Sequence, residues 1–239
     1  MSTAIRAARS AGQRSAHVPL CDTEHVRESW IAALCSLEGN ASVADAAADD
    51  LIARYAEPHR RYHDTAHVLA VLRDSALLAD DLGLSGRDRA IVTLAACAHD
   101  VRYDGKPGDD ERASAEWAGS WLRQAGLGAV DVSEVERLVL ATIHHTADSA
   151  DLAAQILFDA DLAILAAPPA GYERYRRAVR AEYASVPDEA WRTGRAAVLT
   201  DLAARDPLFH TAPARRRWER AAHANLAAEL ATLSRTQGG

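Results

Sequence analysis

Cysteines, aromatic residues and long apolar runs are all scarce in this chain of 239 residues, and each scarcity removes a class of protein. The three cysteines, Cys21, Cys35 and Cys97, are odd in number and widely spaced. That excludes a disulfide framework or a zinc ribbon and leaves reduced thiols, as expected of a cytoplasmic protein. No stretch approaches the ~20 apolar residues that a membrane-crossing helix needs. The longest candidate, Ile156 to Ala167, is interrupted by Asp159 and Asp161. The start carries Arg6, Arg9 and Arg14 but no apolar core of a secretory signal, so residues 1–22 are expected to be a disordered N-terminus. A basic excess is lacking too. The formal net charge of -7 gives no reason to expect binding to a nucleic-acid polymer or to an anionic membrane. A small anionic substrate stays open, because one site can be locally positive on an acidic protein.

What is abundant is alanine and leucine. Apolar residues make up 49% of the chain while aromatics make up 5%, and Ala and Leu are strong helix formers with few β-branched competitors. Helical periodicity recurs from about Thr23 onward, with no strict alternation that would argue for a strand. Val135, Leu138, Val139, Thr142 and Ile143 form one apolar stripe, and Ile91, Leu94, Ala95 and Ala98 form another. Breakers fall at Pro58, Gly83, Gly86, Gly105, Pro107-Gly108, Gly126, Gly128, Pro168-Pro169, Pro187, Pro207 and Pro213, dividing the chain into nine or ten helices. The expectation is an all-α fold, with residues 23–235 as one helical domain and 236–239 as a tail.

Chemistry-bearing residues concentrate at helix ends. His99-Asp100 closes an apolar helix running from Arg87 to Ala98, just ahead of a Gly-rich loop. The pair reads either as a helix C-terminus that favours His and a turn that favours Asp, or as two metal ligands. His67 begins the run Val68, Leu69, Val71, Leu72, and its spacing to Val71 turns the imidazole toward the core side of a helix. Asp159 and Asp161 lie inside an otherwise apolar segment, where an unpaired charge is strongly unfavourable and a cation would resolve it. Asp161 is the expected ligand. Asp159 is expected to face solvent or to orient a neighbouring ligand.

In this order and spacing the chain resembles the HD-domain superfamily of metal-dependent phosphohydrolases. That signature is a His, an adjacent His-Asp pair on the next helix, and a later Asp. Here His67 is followed 32 residues on by His99, and Asp100 is followed 61 residues on by Asp161. The likeness is narrower to a bacterial branch of predicted HD phosphohydrolases. It runs through Glu57-Pro58-His59-Arg60-Arg61-Tyr62-His63, Asp109-Asp110-Glu111-Arg112-Ala113-Ser114-Ala115, Asp159-Ala160-Asp161-Leu162 and Arg180-Ala181-Glu182-Tyr183. It covers roughly Ala53 to Leu230, and the helices after Pro168 are its C-terminal addition.

The resemblance implies one divalent cation (Mn, Mg, Fe, Co, Ni or Zn) held by His67, His99, Asp100 and Asp161, with open positions for water. It also implies attack of activated water on a phosphate ester of a small molecule, with a nucleotide suggested by analogy alone. Asp100, His63 and Glu111 form the expected catalytic set. Arg60, Arg61, Lys106, Arg112, His144 and His145 are expected to bind substrate. A Lys a few residues after the His-Asp pair, found in some HD enzymes, has only the displaced counterpart Lys106. His63 lies four residues before His67 and lines the same mouth if both are helical; otherwise Tyr62 to Thr65 is a helix start capped by Asp64 or Thr65. His144-His145 closes a helix from Ser133, either as a solvated C-terminus or as ligands of a second metal. In the second case the chain is similar to di-iron HD oxygenases; a third alternative is a metal-binding HD module without turnover.

The remaining features read plainly. Trp117 and Trp121 at i and i+4 suit core or a subunit contact, so a homo-oligomer is compatible with the sequence. Arg215-Arg216-Arg217 suits a solvated helix face. Neither a nucleotide-binding Gly loop nor a nucleophile elbow is present.

Overall fold

The structure, a computed structural model, describes residues 20–235. The expected disordered start and the tail at 236–239 lie outside the described residues, except that 20–22 are already helical. Among the described residues there is no strand, and the all-α expectation holds. In chain order the helices are α1 (Leu20–Ser36), α2 (Ala41–Tyr55), α3 (Thr65–Leu82), α4 (Gly86–Ala98), α5 (Asp109–Gln124), α6 (Ala129–Ala141) and α7 (Leu152–Leu162). A 3-10 turn (Ala163–Ala166), α8 (Pro169–Glu182), α9 (Asp188–Ala204) and α10 (Ala212–Arg235) complete the fold. No single described helix is long and apolar enough to cross a membrane.

The local chemistry explains most boundaries. Asn40 and Asp64 accept N–H groups at the starts of α2 and α3, and Ser85 does so for α4, each satisfying donors that a helix start leaves orphaned. Gly83 ends α3 in the left-handed conformation, at φ 63°, which glycine adopts without a Cβ clash. Pro213 is no break: it lies in the first turn of α10, where a missing N–H costs nothing. The turn at Gly39 went unread in the sequence. A Cβ on Gly39 would lie 1.9 Å from a methyl of Leu34, so the crossing from α1 to α2 needs glycine for close approach.

Helix α4 sits at the centre, against α1, α3, α6 and α7. The sequence suggested a one-sided apolar stripe, but Ala90, Ile91, Val92 and every residue from Leu94 to Ala98 are buried. A helix surrounded on all sides reads as apolar all round, and its alanines let four neighbours approach. Helix α7 is likewise buried from Ala154 to Ala160. The trailing helices dock on this core through the 3-10 turn and α10.

Candidate metal centre

Three helix ends converge. Asp64 caps α3 through the N–H groups of Ala66 and His67, which fixes His67 in the first turn. The end of α4 is held from outside. Tyr55 donates its hydroxyl to the Cys97 carbonyl at 3.0 Å. The buried Arg60 guanidinium donates to the carbonyls of Asp100 (2.7 Å), Val101 (3.0 Å) and His63 (2.9 Å). These satisfy carbonyls that a helix C-terminus leaves open, with a cation at the negative end of the macrodipole. Arg60 is therefore a clamp of the main chain, and its fully buried side chain is turned away from any substrate, contrary to the sequence expectation.

His67, His99 and Asp161 present ligand atoms that all lie within 4.8 Å of one another. His67 Nε2 is 3.1 Å from His99 Nε2 and 3.3 Å from Asp161 Oδ1. Asp100 Oδ2 joins from one side, 3.3 Å from His67 Nε2 and 3.1 Å from His99 Nε2. Donors bonded at about 2.1 Å to one octahedral cation stand about 3 Å apart at adjacent positions, so these spacings fit a shared metal ion. His99 Nδ1 donates to the Ala96 carbonyl at 2.9 Å, which fixes the tautomer and leaves Nε2 as a lone-pair donor.

Electrostatics agree with the geometry. Burial disfavours cationic His99, yet Asp100 and Asp161 outweigh it and hold its pKa well above the usual value; His67 is raised for the same reasons. Burial would also push Asp100 and Asp161 up, but the imidazoles hold both well below the carboxylate range. Two buried carboxylates beside two imidazoles call for positive charge, which a metal ion supplies in place of protons.

Around this cluster His145 Nε2 donates to Asp161 Oδ2 at 2.7 Å. Its backbone has φ 49°, a left-handed conformation that is costly for a residue with a Cβ. Helix α6 ends at Ala141, so His144 and His145 stand in the following turn rather than closing the helix; His144 is exposed. His63 precedes the Asp64 cap and is not helical, yet its ring still lies 5.6 Å from that of His67. The segment is thus the helix start capped by Asp64.

Other expected site residues lie elsewhere. Glu111 accepts the Gly108 N–H at the start of α5; its carboxylate serves a helix start. Arg112 pairs with Asp109 at 2.7 Å, and Lys106 is exposed beside Asp104 at 3.9 Å. None of the three belongs to the donor cluster, because the loop at 103–108 and α5 use their charges locally. Arg61 donates to the carbonyls of Pro58 and Arg60 and lines a cavity next to His67. Asp159 neither faces solvent nor orients a ligand: fully buried, it accepts the N–H groups of His210 and Thr211, each at 2.7 Å. Trp117 is core, its ring 5.4 Å from that of Trp30 and tilted by 51°, and it donates to Asp50.

Glu182 is the residue whose role sequence reasoning missed. Its Oε1 accepts the N–H groups of Arg61, Tyr62 and His63 (2.8, 2.8 and 2.9 Å), while Oε2 takes His63 Nδ1 at 2.7 Å and the Tyr103 hydroxyl at 3.2 Å. Two cavities open on the cluster. One, of about 710 Å³, runs along α3 and α8; the other, of about 880 Å³, lies under His144, His145 and α9. Tyr62, Asp161, Ile164 and Tyr175 line both.

Comparison of the chain with protein-family models, with curated proteins and with solved structures finds no match.

Proposed function

We propose that this protein is a metal-dependent hydrolase of the HD type, acting on a phosphate ester of a small molecule. The observation that carries the reading is the donor cluster His67, His99 and Asp161, brought together by the start of α3, the end of α4 and α7, with Asp100 Oδ2 3.3 and 3.1 Å from the two imidazoles. Two nitrogens and two carboxylates, with room left beside them, suit Mn, Mg, Fe, Co, Ni or an open Zn site. A divalent cation held there lowers the pKa of a water toward neutrality and polarises a phosphoryl oxygen. The remaining work falls to side chains. His63, with Nδ1–H anchored on Glu182, has Nε2 left for proton transfer: as the imidazolium it gives that proton to the leaving oxygen and is left neutral, with Nδ1–H still on Glu182. Arg61, at the cavity wall, supports a nonbridging oxygen.

The test is elemental analysis of protein purified without chelator or nickel resin, alongside Asp161→Ala and Asp100→Ala, followed by a panel of phosphate esters on the same samples. About one equivalent of metal, lost in both variants together with metal-dependent phosphate release, supports the hydrolase. Full metal content in either variant removes the basis of the site.

A second reading has its own support. Asp161 faces His67 through Oδ1 and His145 through Oδ2, so were a second ion bound, Asp161 and His145 would be the residues to hold it, as a di-iron oxygenase would need. Two irons per chain with oxygen uptake favour that reading. Metal without turnover on any ester or oxygen favours a metal-binding module.

A further inference from the structure

The cavity along α3 and α8 has a charge that the metal centre does not use. Its lining includes Arg61, Arg73 and Arg174 against Asp64, Asp74 and Asp161. Asp64 is spent capping α3, Asp74 is paired with Arg73 at 3.0 Å, and Asp161 belongs to the donor cluster. Arg174 faces no carboxylate among the described residues. In this it differs from Arg176, Arg177, Arg180, Arg195 and Arg205, each of which meets one at 2.6 to 2.9 Å. On a chain of net charge -7, an arginine left over on a cavity wall is a candidate anion receptor.

Its position along the cavity follows from the neighbouring backbone. A Cβ on Gly171 would lie 3.3 Å from Ala167 Cβ and 3.7 Å from Arg174 Nη2. The guanidinium thus stands over Gly171 at the Ala167 end, where the glycine leaves the floor without a side chain. Ala167 is six residues beyond Asp161. At 1.5 to 2 Å of rise per residue through the end of α7 and the 3-10 turn, that is roughly 10 Å. Arg174 and the donor cluster are therefore set apart along the cavity wall.

On the hydrolase reading above, the reacting phosphate sits beside His67 and Asp161. We infer that Arg174 recognises a second anionic group of the same substrate, a phosphate or carboxylate about 10 Å from the first. The planar fork of a guanidinium binds either group through two parallel N–H donors. The small side chains between the two ends, Ala70, Ala163 and Ala167 among them, leave space for a short aliphatic or sugar spacer. The preferred substrate class is a phosphate ester doubly charged at its two ends.

The experiment uses the full metal-loaded chain with three probes: pentyl phosphate, pentanediol bisphosphate and the phosphate ester of hydroxyhexanoate. The wild type is expected to show a KM about tenfold to a hundredfold lower for a doubly anionic probe than for pentyl phosphate, the size of one charge-assisted hydrogen bond. The two doubly charged probes tell phosphate from carboxylate. Arg174→Ala, at an exposed position, should abolish the preference while leaving kcat and the pentyl phosphate KM within about twofold. Arg177→Ala removes an equal charge one turn away and should keep the preference. Equal KM values in the wild type, or a preference that survives Arg174→Ala, overturn the inference. If no probe is hydrolysed, the hydrolase reading fails on its own, and calorimetric titration of the same probes decides the Arg174 site. Tighter binding of a doubly charged probe that is lost in Arg174→Ala supports it, and equal or absent binding overturns it.

Discussion

His63 and Glu182 meet at 2.7 Å across 119 residues of sequence, and the same carboxylate collects three consecutive backbone N–H groups. One side chain from the end of α8 therefore shapes the loop that leads into α3 and the donor cluster. Burial alone would raise the Glu182 pKa, but His63 and the N–H groups of Arg61 and Tyr62 outweigh it and hold it down to about 2. A depressed carboxylate stabilises the fold fully above its unfolded value near ~4.3 and loses that contribution as pH falls toward its folded value. Glu182→Gln should cost about 1–3 kcal/mol at neutral pH. Urea melts at about pH 6 and about pH 3 should show the gap to wild type shrinking with acid; a gap independent of pH would sink the assignment.

Arg60 illustrates a residue that serves the metal without reaching it. Its three carbonyl contacts lock the end of α4 where His99 and Asp100 emerge. Lysine keeps the charge but cannot span three carbonyls in one plane. Arg60→Lys is expected to lower stability by about 1–3 kcal/mol and to weaken metal binding about 10–100-fold. Competition with a coloured chelator measures the second effect, and an unchanged affinity would show that α4 holds its end without the clamp.

How far these roles were legible depends on sequence distance. His67, His99 and Asp161 could be singled out because each is a polar group set in its own apolar helix, a local conflict that the chain displays directly. Helix ends at Gly83, Ser85 and Pro168 were legible for a similar reason, since capping is decided by a few adjacent residues. Glu182, Arg60 and Asp159 were not. A carboxylate that gathers N–H groups from a loop 119 residues away leaves no periodic trace near itself. Arg60 looks like a surface cation until the end of α4 is placed against it. Lys106, Glu111 and Arg112 misled in the opposite sense: they share a charged stretch near His99, but its charges close on one another and on the cap of α5. The all-round burial of α4 was hidden because alanine fits both an exposed face and a tight crossing.

Behind the site, Arg195 and Glu229 form a buried pair at 2.9 Å, and Tyr172 donates its hydroxyl to the same carboxylate at 2.6 Å. Burial would push Glu229 up, yet Arg195 and Tyr172 hold it below its usual value. Arg195→Ala strands a buried carboxylate and should cost about 3–5 kcal/mol. Arg195→Met combined with Glu229→Leu removes both charges at similar volume and should recover most of that loss. Denaturant melts of the two variants check this; equal stabilities would mean that water, or Arg176 at 3.5 Å, compensates the stranded carboxylate.

His145 combines a strained backbone with a contact to Asp161, and two substitutions separate these contributions. His145→Gly and His145→Ala lose the imidazole equally. At φ 49° only glycine is free of the Cβ clash. The glycine variant should therefore be more stable than the alanine variant by about 1 kcal/mol; if alanine equals or exceeds glycine, the left-handed turn does not persist in solution. Metal titration of the same pair addresses the imidazole. With one ion per chain, both variants keep that stoichiometry and bind about 10–100-fold more weakly, because Asp161 loses the donor that orients it. With two ions, both variants fall to one, since His145 then ligates the second ion directly. Stability thus reports on the backbone and stoichiometry on the side chain, so the two outcomes cannot be confused.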